Sequence, residues 1–228
     1  FGKPCGLMDQ CACAVGGLIS IDFNDPENTI IKSVDIDFSK HQHSLCIVDT
    51  KGSHADLTDE YAAVPQEMNE VAKYFDKEFL RDVDEKRFYE RLAEVREKCG
   101  DRAVLRAIHF FEENKRVQQL VEALTNHQFD QFKELIKASG NSSYKFLQNV
   151  YASSDPHNQA VSVALAMSEL ILGDNGVCRV HGGGFAGTIQ AFVKDEYVET
   201  YKEEIEKVFG KDSCHVLKIR NYGGKKVL

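Results

Sequence analysis

Residues 2–23 read GKPCGLMDQCACAVGGLISIDF, and this stretch decides how the rest of the chain is read. Pro4 and Gly6 signal a turn. Residues 7–15 are small and apolar enough to suit a buried helix, and Gly16-Gly17 gives that helix a stop. Residues 18–23 then read as a strand. One acid, Asp9, stands at the helix start. An acid there commonly offsets the positive end of the helix dipole. It can also reach a ligand across a glycine-bearing turn, where phosphoryl transfer uses a carboxylate to orient a hydroxyl and accept its proton.

Working outward, residues 24–28 (NDPEN) form a turn, and residues 30–38 and 44–50 read as further strands. Alternation through residues 33–38 gives Asp35 and Asp37 a wet strand face, whereas residues 45–48 are apolar throughout, as in a central strand. From residue 57 to about 151 the apolar spacing is helical, as in Val71, Phe75, Phe79 and Phe88, Leu92, Val95. Asp101 reads as the N-cap of a helix through Leu124, and Gly140-Asn141 as a break in a later helical pair. Residues 85–96 read as a solvated helix face. Asp155-Pro156 introduces a helix over residues 157–172. The remainder reads as a strand (177–180), a glycine loop, a strand (188–193), a helix (196–209) and a closing strand (215–219). This alternation predicts an α+β fold.

The net charge of -8 excludes a basic nucleic-acid footprint, and no apolar run approaches the ~20 residues of a membrane span. No leader-like segment is read. Seven cysteines, an odd and scattered set, argue against a disulfide framework and for a cytoplasmic protein. Cys11 and Cys13 read as small buried residues, and His41-x-His43 as loop or solvent residues; no metal site is read. Three consecutive glycines, Gly182 to Gly184, permit positive φ and close backbone approach. They suit a tight packing turn or a cradle of N–H groups for phosphate.

Two segments, PCGLMDQ at 4–10 and HGGGFAG at 181–187, resemble those of the galactokinases, sugar kinases of the GHMP family. The usual family form of the second is TGGGFGG; here His181 replaces the Thr and Ala186 a Gly. The resemblance implies transfer of the γ-phosphate of ATP to the anomeric hydroxyl of galactose, with Mg²⁺. It implies that Asp9 is the catalytic base or orienter of that hydroxyl and that Gly6 lies close to the sugar. Tyr61, in DLTDEYAAVPQEM, matches the segment whose Tyr hydroxyl contacts the sugar. Gly182, Gly183, Gly184 and Gly187 become a supporting loop beside the nucleotide, and no catalytic role falls to His181. The implied fold is GHMP-kinase-like. Residues 1–52 are the last helix and strands of an N-terminal kinase domain, and residues 53–228 a C-terminal domain of ferredoxin-like layers with a helical section.

Nothing reads as GxxxxGK[ST] or as the family's ATP loop, so the chain reads as the back half of such an enzyme. Alone it is expected to be inactive and to self-associate through exposed edges. An N-acetylgalactosamine kinase and a non-catalytic galactose- and ATP-binding sensor are the alternatives.

Overall fold

A computed structural model describes residues 7–25, 27–36, 38–52 and 57–224. Its organising element is a four-stranded sheet in the order β4-β5-β3-β6, built from β3 (His43–Asp49), β4 (Gly176–Val180), β5 (Thr188–Lys194) and β6 (Cys214–Leu217). Every neighbouring pair is antiparallel: Cys46 lies opposite Ala191, Ala191 opposite Cys178, and Val48 opposite Cys214. Two crossovers build this order. A long one from β3 to β4 ends in helix α7 (Ala160–Leu172), and a short one from β5 to β6 carries helix α8 (Val198–Phe209). The arrangement is two interlocked βαβ units, the ferredoxin-like pattern, and it bears out the α+β expectation.

Alternation along the strands sorts side chains onto two faces. Cys46, Val48, Ile189, Ala191 and Val193 point to one face, where α7 and α8 cover them with Val161, Ala164, Tyr201 and Ile205. Phe192 points to the other, against Phe38, Phe129 and Phe132; helix α6 (Phe129–Ser142) and the end of α5 (Asp101–Thr125) close that side. Full burial of a Val, Ile or Phe stabilises by about 1.5–3 kcal/mol, so both layers hold the sheet.

The long crossover carries a helical lobe with its own core. Helices α2 (Thr58–Tyr74), α3 (Glu85–Glu90), α4 (Leu92–Cys99) and α5 pack Val71, Phe75, Phe88, Val95 and Ala107 together. One charge lies inside the lobe. Arg106 is wholly buried; its Nη1 donates to Glu67 Oε2 at 2.9 Å and its Nε to the Leu147 carbonyl at 3.1 Å. Arg102 grips the same carboxylate at 2.6 Å.

The leading segment is separate in its pairing. Helix α1 (Met8–Val15) precedes the hairpin of β1 (Leu18–Asp22) and β2 (Ile30–Val34), which pair with each other. Residues 220–224 tie it to the body. Gly17 N–H donates to the Arg220 carbonyl at 2.7 Å, and the α carbons of Gly16 and Gly223 press on backbone, where a Cβ would meet Tyr222 C at 2.1 Å and Ala14 O at 1.9 Å. Only glycine fits such contacts. Asp22 also pairs with Arg81 at 2.8 Å.

Several expectations are corrected. Helix α1 buries none of its residues, Cys11 being half-buried and Cys13 exposed, because its described contacts lie along β1 and its C-terminal end. Strand β2 ends at Val34, so exposed Asp35 lies outside it; Asp37 is outside the described residues. Gly100, with φ +87°, is the cap position of α5, while Asp101 is its first residue and pairs with Arg96. Gly140 does not break α6. It lets the helix cross β4 closely, since a Cβ there would lie 3.0 Å from Arg179 Cβ; the helix instead ends in a π-turn at Ser143–Leu147. Helix α7 starts at Ala160, later than read. His43 is buried against Phe129 rather than solvated.

Two predictions follow from this packing. Removing the Glu67 carboxylate leaves a buried guanidinium without its counterion, so Glu67→Ala should cost about 3 kcal/mol or more in urea unfolding; a change below about 1 kcal/mol would contradict the buried pair. Burial also holds His43 and His109 below the ordinary histidine value of 6.5. The unfolded chain then takes up protons that the native state refuses, so stability falls as pH drops below about 6.5, by at most about 1.4 kcal/mol per histidine at pH 5.5. Equal urea midpoints at pH 7.5 and 5.5 would refute this.

Candidate active site

The glycine loop leaves β4 at Val180 and re-enters the sheet at Thr188. Its path turns through positive φ at Gly182 (+68°), Gly184 (+80°), Phe185 (+59°) and Gly187 (+92°). A non-glycine residue in that region is strained and persists only where its surroundings hold it. Phe185 is held: its ring is buried edge-on against Tyr61, with centroids 5.1 Å apart.

Each part of the loop has its own anchor. Thr50, at the end of β3, donates to the Gly187 carbonyl through both its N–H and its hydroxyl, each at 2.8 Å. Tyr61, in the first turn of α2, donates its hydroxyl to the Gly184 carbonyl at 2.7 Å, and burial raises the pKa of its phenol. Asn149 donates Nδ2–H to the Gly183 carbonyl at 3.1 Å and accepts the Phe185 N–H on its own carbonyl at 2.5 Å. The amides of His181 and Ala186 bond to Thr188 O and Gly184 O. With these donors turned inward, the loop has the character of a packed turn.

At the mouth of the loop, His181 is exposed and its Nδ1 lies 3.0 Å from Thr188 Oγ1. Its pKa is lowered, first by desolvation and then by the Arg179 guanidinium, with the Asp9 carboxylate opposing. The structure therefore brings Asp9, in the first turn of α1, within electrostatic reach of the loop's first residue. Arg179 behind it is half-buried; its Nη1 donates to Ser139 Oγ at 2.6 Å and pairs with Glu113, fixing the end of β4 to α5 and α6. Tyr61 and the loop are thus joined through the Gly184 carbonyl, Asp9 acts electrostatically on His181, and Gly6 lies outside the described residues. Sequence reading missed Asn149 and Thr50, which no motif marks. Among the described residues no group of three or more His, Cys, Asp or Glu is arranged to hold a metal.

The fold is that of the GHMP kinases. The chain superposes on a Lactococcus lactis galactokinase complexed with galactose (TM-score 0.76, 21% identity, 99% of this chain and 57% of that one). It also superposes on L. major mevalonate kinase in complex with R-mevalonate (TM-score 0.58, 14% identity, 98% and 55%). In sequence the chain is similar to galactokinases: that of Actinobacillus pleuropneumoniae, 31% identical over 198 residues, and that of Haemophilus influenzae strain PittGG, 32% identical over 207. These alignments take in 87% and 90% of this chain and 49% and 50% of the relatives, so the chain spans about half the length of the curated relatives it matches. No family model matches it. The resemblance to galactokinases read from the two glycine-bearing segments is borne out.

The loop geometry makes a graded prediction. Gly184→Ala would put a Cβ 1.9 Å from the Asn149 carbonyl oxygen and should cost about 1–3 kcal/mol, whereas Tyr61→Phe removes one hydrogen bond, about 0.5–1.5 kcal/mol. Thermal melts that reverse this order would contradict the anchoring described.

Proposed function

We propose that the chain is part of an ATP-dependent sugar kinase that phosphorylates galactose at its anomeric hydroxyl. The observation that carries the reading is the sequence similarity to galactokinases over nearly nine-tenths of the chain, and the electrostatic influence of Asp9 on His181, at the start of the glycine loop, supports it. Asp9 is the catalytic residue of this reading. Its carboxylate accepts a hydrogen bond from the anomeric hydroxyl, orients the oxygen towards the γ-phosphorus and takes the proton as the P–O bond forms; ADP carries away the electrons of the broken bond. Gly6 and Tyr61 are proposed to border the sugar, and Gly182, Gly183, Gly184 and Gly187 to support the nucleotide side. Mg²⁺, when bound, would neutralise phosphate charge.

In this reading residues 1–52 carry the acid and residues 53–228 the loop and helical lobe, with β3 as the strand that joins the first segment to the sheet of the second. The proposed location is the cytoplasm; among the described residues no helix is long and apolar enough to cross a membrane. The isolated chain is proposed to self-associate through the hairpin, where Phe23, Ile30 and Ile31 are exposed.

The test is ADP release by a full-length protein containing this chain, supplied with ATP and one sugar at a time. Galactose should drive turnover, Asp9→Asn should lower kcat by about 10²–10⁴-fold while sugar binding persists, and the 228-residue chain alone should be inactive. Turnover with N-acetylgalactosamine but not galactose would replace the substrate. Galactose binding without turnover by any sugar would replace the enzyme with a sensor.

A further inference from the structure

The segment between the π-turn and α7, residues 148–155, contacts the glycine loop, the first turn of α2 and the sheet core. It begins where Arg106 holds the Leu147 carbonyl, and Gln148 then takes a left-handed conformation with φ +56°. Val150 is buried in the sheet core. Ser153 and Ser154 bond to Glu60, the neighbour of Tyr61 in α2. Between these fixed points lies Asn149, only 4% exposed.

Its position is unusual in that side chain and main chain serve one target. Nδ2–H donates to the Gly183 carbonyl and the main-chain carbonyl receives Phe185 N–H, so the residue brackets Gly184. The two bonds fix the direction of two peptide planes on either side of that glycine. The contact between Gly184 and the Asn149 carbonyl leaves no room for a Cβ. Asparagine suits the site chemically because its amide offers a donor without charge in a buried place.

We infer that Asn149 is a positioning residue that sets the conformation of the glycine loop, and through it the shape of the proposed sugar-kinase site. Its kinetic consequence rests on the sugar-kinase reading; its structural consequence does not. Asn149→Ala removes the side-chain donor. Asn149→Asp is nearly isosteric and sets an acceptor against the Gly183 carbonyl. Both variants therefore free the loop while leaving the main-chain carbonyl in place.

Amide hydrogen exchange on the 228-residue chain decides the structural part. In both variants the amides of Phe185 and Ala186 should exchange about 5- to 10-fold faster, while those of Ile189 to Val193 in β5 keep their protection. Unchanged loop exchange, or acceleration spread evenly through β5, would overturn the inference, the second by making Asn149 a general stability residue. In a full-length protein that turns over galactose, Asn149→Ala should lower kcat about tenfold or more with the KM for galactose changed less than about threefold; an unaltered kcat would overturn the catalytic consequence. If the unmutated protein turns over no sugar, the sugar-kinase reading has failed and the exchange result still decides the role of Asn149.

Discussion

Everything around the site depends on a backbone meeting a backbone at Gly184. The carbonyl of Asn149 occupies the space where any other residue would carry its Cβ, 1.9 Å from that point. Such a contact cannot slide, because both sides are peptide groups with fixed hydrogen-bonding directions. Gly184 itself and Phe185 take positive φ, and the strain at Phe185 is held by burial of its ring against Tyr61. A surface turn between two strands becomes a rigid object whose shape is dictated from the helical lobe.

That lobe is more than an insertion in a crossover. Its charged centre, Arg106 with Glu67 and Arg102, lies between α2 and α5 and reaches the Leu147 carbonyl where the strap to Asn149 begins. Glu60 binds the other end of the same strap. Tyr61 and Asn149 thus approach the loop from two segments that are themselves cross-linked. On the sheet side, Thr50 grips Gly187 and Arg179 fixes the end of β4. The acid-bearing helix arrives by a different route, held through glycines to the C-terminal segment. Asp9 and the loop are therefore positioned by independent parts of the chain.

Much of this was legible because its signals are local. The apolar run at residues 45–48 specified a central strand, and the i, i+3, i+4 spacing of Val71, Phe75 and Phe88, Leu92, Val95 specified a helical core. PCGLMDQ and HGGGFAG carried the kinship. What stayed hidden depends on distant partners. Gly140 looks like a helix breaker until β4 is seen crossing it. Asp101 looks like a cap until Arg96 takes its carboxylate. Asn149 stands in an unremarkable polar stretch, since its worth lies in a loop more than thirty residues away. The exposure of α1 also escaped composition, because small apolar residues describe what a helix could bury and not what covers it.

The most direct test of the account is a crystal structure of a full-length protein containing this chain, with galactose and a non-hydrolysable ATP analogue bound. The account predicts the anomeric hydroxyl within hydrogen-bond distance of the Asp9 carboxylate, facing a glycine loop that keeps its bonds to Tyr61, Asn149 and Thr50. A sugar bound away from Asp9, or a loop rebuilt with those bonds broken, would contradict it.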